Sequence, residues 1–335
     1  MNEENKRLDF LAIGDIVVDA FIRLQDAEVH CEIHNADCKL CVKFGQKIPY
    51  ESVEVCNAVG NSPNAATSAA RLGLNSGILT YVGGDQNGKD CVADLEKNNV
   101  STELVHTVDG MITNYHYVLW YDVDRTILVK HETFDYQLGD IGSPKWVYLS
   151  SLGAHSFDMY EQISRYLAEH SEIKLAFQPG VFDMKLGREK LDFIYKRADA
   201  VCVNVEEAQS ILGETSRDLK TLLSKMAELG PKIVFITDGF LGAYAYDKVV
   251  SPDDFWFMPI YPHTPFERTG AGDAFFSTVV SYLAMDKTVD ECLVRGPINS
   301  MSVVQQVGAQ KGLLSREKLE EYLANAPVDY TARKI

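Results

Sequence analysis

Phe266–Leu283 reads FERTGAGDAFFSTVVSYL, and the fold turns on how its middle is read. Phe276, Val279, Val280 and Leu283 recur at helical spacing, which predicts a helix starting near Gly272 or Asp273. The glycines just ahead let the backbone come close to a ligand. Gly270, Ala271, Gly272 and Asp273 then offer free amides at the positive end of a helix dipole, a cradle for a transferring phosphoryl group. Asp273 sits in the same turn and can take a proton from an attacking hydroxyl. A carboxylate at a helix start is stabilised as the anion, so a weak base is expected. Phosphoryl transfer tolerates that, because its transition state is loose and orientation matters more than base strength. The competing reading is a tight turn whose acid only complements the helix dipole.

A second glycine segment, Tyr81–Asp90 (YVGGDQNGKD), competes for the phosphate. Gly83, Gly88 and Lys89 have P-loop spacing. Asp90, however, stands where a P-loop needs a hydroxyl to hold Mg²⁺, so the P-loop reading is rejected. Outward from these segments the pattern is regular after about Lys145. Strands WVYLSS, KLAFQPG, AVCVNV and KIVFITDG alternate with helices MYEQISRYLAEH, LDFIYKRA, EEAQSIL and LKTLLSKMAEL. Such alternation implies a parallel sheet covered on both faces, with ligands at the strands' carboxyl ends. LDFLAIGDIVVDAFI reads as one opening strand. Two stretches, 22–58 and 111–135, instead look like a small β lid built from separate segments, over a core of 1–21, 59–110 and 136–335.

The chain has 335 residues and a formal net charge of −16. Without a long Lys/Arg cluster, nucleic acid is an unsuitable partner. No run of 18 apolar residues or apolar leader occurs, so no membrane is expected and the cytoplasm is the expected location. The seven cysteines are scattered in a chain too large to need staples, which suggests reduced thiols. Cys31, His34, Cys38 and Cys41 have the pairing of a zinc site. Alternation on either side of "NAD" favours a hairpin instead.

ERTGAGDAF resembles the second signature of the ribokinase-like (PfkB-type) carbohydrate kinases, usually D-T-x-G-A-G-D. Further similarities follow in the family's order over nearly the whole chain: GDIVVD, VGNSPNAATSAARLG, YVGGDQNGKD, NVEEA, ITDGFLGA and INSMSVVQQVGAQ. The resemblance implies a three-layer α/β/α fold with a mostly parallel central sheet and a small β-sheet lid. It implies ATP and Mg²⁺ as cosubstrate and metal, and a sugar or nucleoside as acceptor. It places the anion hole at Gly270, Ala271 and Gly272 and the base at Asp273. The acceptor falls to Asp19 (rather than Asp15), Gly60, Asn61 and Asn64. The nucleotide falls to Asn204, Thr237, Gly239, Gly242, Asn299 and Gly308, with Glu207 reaching Mg²⁺ through water. In the family such lids often pair two subunits, so a homodimer through the lid is expected.

Asn204 with Glu207 also reads as a helix capping box, and Asn64 as a helix cap. The chain departs from the pattern in places. Glu267 and Arg268 replace Asp and Thr; the first of these often ligates a monovalent cation, and the longer Glu counts against potassium. Gln178 replaces an acid or Asn. Tyr115, Tyr117, Trp120 and Tyr121 could stack on a nucleoside base, although alternation turns only half of them one way. Arg125 is given no role. A dinucleotide-dependent oxidoreductase would need G-x-G-x-x-G after the first strand, which is missing. A non-catalytic sugar-binding or regulatory protein on the same fold is the rival from another class, and the intact Asp273 argues against it.

Overall fold

The computed structural model describes residues 7–31, 38–122 and 124–335. Among these, the apolar runs assemble into a main sheet of ten strands. In spatial order they are Arg333–Lys334, Phe255–Met258, Ala243–Asp247, Ile233–Thr237, Ala200–Asn204, Lys174–Phe177, Trp146–Leu149, Phe10–Ile13, Ser76–Gly83 and Val105–Val108. The last seven in that order run parallel, and the first three are antiparallel. Strand alternation sends side chains to two cores. Phe10 and Ala12 pack with the helices Asn61–Arg71 and Ala271–Ala284, while Leu11 and Ile13 pack with Phe157–Glu169 and Leu219–Glu228. The fold is therefore the expected three-layer α/β/α arrangement. Phe276, fully buried in the first core, anchors the helix whose start matters most below; truncation to Ala there costs about 3–5 kcal/mol.

The opening apolar run is not one strand. It divides into Phe10–Ile13 in the main sheet and Val17–Leu24 in a second sheet. Gly14 marks the break, where a Cβ would lie 2.4 Å from Ser62 Oγ and 2.6 Å from Ser150 Oγ. The second sheet has four strands in the order Tyr50–Val59, Val17–Leu24, Tyr115–Tyr121, Asp124–Leu128. It thus takes in Val17–Phe21, ahead of the boundary at residue 22 that the pattern suggested. Phe21, Val118 and Trp120 face inward and are buried.

A third, two-stranded sheet pairs Glu28–His30 with Lys39–Cys41, His30 lying opposite Lys39. The next pair along is Cys31 and Cys38, and they form a disulfide. The expectation that all thiols are reduced is corrected on this point, because the hairpin itself brings the two together. Neither sulfur is then a thiolate able to bind zinc. Cys41 is free and exposed, and His34 lies outside the described residues. No helix among the described residues is long and apolar enough to cross a membrane.

Candidate active site

The helix Ala271–Ala284 begins one residue after Gly270, its N-cap. Gly270 has φ 80°, and a Cβ there would lie 2.4 Å from that of Ala309. Only glycine fits this turn. The turn is held on one side by Thr269, whose N–H and hydroxyl donate to Glu267 Oε1 at 2.8 and 2.6 Å. On the other side Ser300 Oγ donates to the Ala271 carbonyl at 2.8 Å. Among the described residues, the N–H groups of Ala271, Gly272 and Asp273 have no hydrogen-bond partner. They are the orphan donors of a helix start, with the dipole's positive end behind them.

Asp273 is 9% exposed and does not point into the apolar core. Its Oδ1 accepts from Asn61 Nδ2 at 2.8 Å and from Gln178 Nε2 at 3.2 Å, and its Oδ2 from Asn64 Nδ2 at 2.8 Å. Asn61 and Asn64 are three apart on the helix Asn61–Arg71, so both reach one face. Ala65 and Ala69 on that helix are small and fully buried, allowing close approach to Ala271–Ala284. The helix starts at Asn61 rather than Asn64, with Gly60 at φ 117° as its cap residue. Burial pushes the Asp273 carboxyl above its ordinary value, against the pull of Asn64, Asn61, Gln178 and the Arg125 charge. The helix-start argument predicted the opposite direction. Desolvation outweighs the hydrogen bonds from the three amides and the Arg125 charge, which makes Asp273 a stronger base than expected.

Around this carboxylate the other candidates fall into two groups. On the lid side, Asp19 is 7% exposed, with Oδ1 3.2 Å from His116 Nδ1 yet without a hydrogen-bond partner. His116 Nε2 is likewise buried and unpartnered. Asp15, by contrast, is engaged by Tyr136 OH at 2.8 Å and His131 Nδ1 at 2.9 Å. Trp120 packs edge-on to Phe266, with ring centroids 5.2 Å apart, and lies under the Arg23 guanidinium; Tyr117 is half exposed. Arg125 reaches from Asp124–Leu128 to within 3.7 Å of Glu267 Oε1. Sequence reasoning missed Arg125, because its neighbour lies 142 residues away and no local pattern announces the contact.

On the other side, a cavity of about 430 Å³ opens beside the helix start. Thr237, Gly239 and Gly242 line it, as do Ala271 and Gly272, with Phe275, Pro297 and Met301 among its apolar walls. Asn299 and Gly308 do not line it. Asn299 is fully buried, donating to Thr278 Oγ1 at 2.8 Å and accepting from Leu314 N at 3.0 Å. Gly308 faces the lid stem, where a Cβ would meet Cys56 Sγ at 2.9 Å. Asn204 and Glu207 form the reciprocal capping box: Glu207 N donates to Asn204 Oδ1 at 2.8 Å and Asn204 N to Glu207 Oε2 at 2.9 Å. Burial raises the Glu207 pKa, and the Asp273 charge adds to it. A smaller cavity near Asp183 and Gly213 contains none of the candidate residues.

The chain is 26% identical over 272 residues to the ribokinase of Mus musculus, covering 75% of this chain and 79% of that one. It is 25% identical over 253 residues to an uncharacterized sugar kinase of Archaeoglobus fulgidus, covering 73% and 97%. Among solved structures, Arabidopsis thaliana ribokinase complexed with ribose and ATP matches with a TM-score of 0.78 at 18% identity, over 95% of this chain and 99% of that one. The model of the pfkB family carbohydrate kinases matches residues 33–316, and the chain belongs to that family of sugar phosphotransferases.

Proposed function

We propose that the chain transfers the γ-phosphoryl group of ATP to a primary hydroxyl of a sugar, as a kinase of the ribokinase or fructokinase kind. One observation carries this reading. A carboxylate gripped by Asn61, Asn64 and Gln178 lies beside unpartnered amides at a helix start, next to a cavity of about 430 Å³. The cavity suits a nucleotide: its walls are mostly apolar with Arg268 and His263 among them, and a Cβ added at Gly272 would meet only Gln178 Nε2, at 3.9 Å. When bound, ATP supplies the phosphoryl group and Mg²⁺ the charge that balances its phosphates. Thr237, Gly239 and Gly242 hold the nucleotide. Glu207, whose Oε1 is not used by the capping box, is our assignment for a water-mediated Mg²⁺ contact; Asn204 keeps it in place. Among the described residues no three His, Cys, Asp or Glu side chains cluster as a metal site, in keeping with an ion held mainly by phosphates and water.

The amides of Gly270, Ala271 and Gly272 stabilise the charge that develops in transfer. Asp273 orients the acceptor hydroxyl and takes its proton; Oδ2, which accepts one hydrogen bond against two at Oδ1, has the freer lone pair. Asp19 and the Gly60–Asn64 turn hold the sugar, and Asp19 Oδ1, which lies against His116 Nδ1 without a hydrogen bond, is the oxygen assigned to a sugar hydroxyl. Trp120 is used in packing on Phe266 and Tyr117 faces away, which favours a sugar over a stacked nucleoside. Glu267 faces Arg125 and Thr269, so turnover without potassium is expected. An ATP-consumption screen over pentoses, hexoses, their phosphates and nucleosides tests the reading, with Asp273→Asn as control. Turnover with a free sugar supports it; turnover only with a nucleoside, or none at all, refutes it.

The outer face of the lid carries a row in register: Val55, Ala20, Tyr117 and Leu128, with Val53 and Ile22 beside it. Val53, Val55, Tyr117 and Leu128 are about half exposed. Such a face suits the same face of a second copy. Solution mass measurements should give twice 37.4 kDa; the monomer mass would refute the pairing.

A further inference from the structure

The amides that grip Asp273 must present N–H and not C=O, and one of them is oriented from behind. Gln310 Nε2 donates to the Ala58 carbonyl at 2.6 Å and to Asn64 Oδ1 at 3.0 Å. A backbone carbonyl can only accept, so the Gln310 group facing it is the NH₂. The second hydrogen of that NH₂ requires an acceptor, which makes the Asn64 atom it meets the oxygen. The opposite end of Asn64 is then the nitrogen, and it donates to Asp273 Oδ2 at 2.8 Å. The direction of every bond in this chain follows from one peptide carbonyl. Gln310 is itself anchored: Arg71 Nη1 donates to its carbonyl at 2.7 Å and to that of Leu313 at 2.9 Å. Ala58, at the end of the lid strand Tyr50–Val59, is 1% exposed.

We propose that Gln310 is a positioning residue for the base: by fixing which end of the Asn64 amide faces Asp273, it keeps that carboxylate oriented and ionised. The inference deepens the functional reading above and rests on Asp273 being the base. It assigns work to a residue that does not line the cavity and that, although it ends the segment INSMSVVQQVGAQ, was given no role in the sequence. Tyr148 acts in parallel on the second amide: fully buried, it donates to Gln178 Oε1 and so turns Gln178 Nε2 toward Asp273. The ionisable groups whose fields act on Asp273 are Arg125 from the lid, Glu207 on the helix Val205–Leu212, Tyr148 on Trp146–Leu149 and Cys202 on Ala200–Asn204. All are unchanged in the variants below.

Gln310→Glu is the direct test. A carboxylate cannot donate to Ala58 or Asn64, so Asn64 turns its NH₂ toward residue 310 and its oxygen toward Asp273. Losing a hydrogen bond to a charged group should lower kcat about tenfold or more. The acidic limb of the kcat–pH profile should move to higher pH, with the KM for ATP unchanged. Gln310→Met, which removes both donors and adds no charge, should lower kcat several-fold and move the limb less. Melting curves identify any variant that has not folded. If both variants fold and keep the parent kcat and limb position while Asp273→Asn loses turnover, the positioning role is wrong. A loss of stability alone, with kcat and limb unmoved, also overturns it. Turnover retained by Asp273→Asn would defeat the base assignment itself, and this inference with it.

Discussion

Two helix starts in this molecule carry glycines and an aspartate, and they use them in opposite ways. At Gln86–Lys97 the N-cap Asp85 folds back on its own turn: it accepts from Gly88 N at 3.0 Å and from Thr113 N and Oγ1 at 3.2 and 2.6 Å. Gly83 N donates to Thr113 Oγ1 at 3.1 Å. There the acid is taken up by Gly88 and Thr113, and the Gly83 amide by Thr113. At Ala271–Ala284 the cap is a bare glycine, and the acid turns to amides from two other elements. The charges differ accordingly. Burial tends to raise the Asp85 pKa, but hydrogen bonds from Thr113 and Gly88 prevail and lower it. Burial prevails at Asp273 and raises it. On the proposed reading, a phosphate site is marked by an acid left for a ligand beside free amides, and not by the glycine spelling.

The contrast can be broken most severely at Asp273. Asp273→Asn should lower kcat by about a thousandfold, within the usual range for a general base, while both KM values stay close to the parent. Gly270→Ala comes next. Its Cβ would meet Ala309 at a φ of 80°, so the amides must shift; kcat should fall about tenfold to a hundredfold, and stability by about 1–3 kcal/mol. The acidic limb of kcat/KM, which reports the free enzyme, should lie above the ordinary aspartate range, because Asp273 must be ionised to act and burial raises its pKa. A limb at or below that range would show that burial does not govern this carboxylate.

Asp85→Ala should behave as a cap deletion, with stability reduced by about 1–2 kcal/mol and kcat unaltered. Because the folded pKa of Asp85 is depressed, its contribution is present above the unfolded value and disappears as pH falls through the folded one. Chemical denaturation of parent and variant should therefore converge in acid. The smallest effect is expected for Asp90→Thr, which completes the P-loop spelling. It should leave ATP affinity and turnover unchanged; a gain in either would reopen the Gly83–Asp90 segment as a nucleotide site.

Much of this was legible because it is local. Helical spacing after Asp273, the alternation beyond Lys145 and the capping box at Asn204 each depend on residues a few positions apart. The division of the opening run was not legible, since Leu11 and Val18 are equally apolar and only the close packing at Gly14 separates their sheets. The three antiparallel edge strands escaped for a similar reason: Arg333–Lys334 is a strand only because Phe255–Met258 lies beside it. The helix start at Gly270–Asp273 was readable. The grip of Gln178, the reach of Arg125 and the reversal of the Asp273 shift were not. Each depends on burial and on partners distant in the chain. Asn299 and Gly308 show the converse: Ser300 and Met301 of their segment do line the cavity, yet packing turns these two inward.

The central claim, that amides at a helix start and the gripped carboxylate act together on one phosphoryl group, is met most directly by a crystal structure with ADP, aluminium fluoride and a turned-over sugar. The account predicts the fluoride within hydrogen-bonding distance of the Ala271 and Gly272 amides, with the sugar's primary hydroxyl on Asp273 Oδ2. Fluoride bound at the Gly83–Gly88 turn, or a hydroxyl that bypasses Asp273, would contradict it.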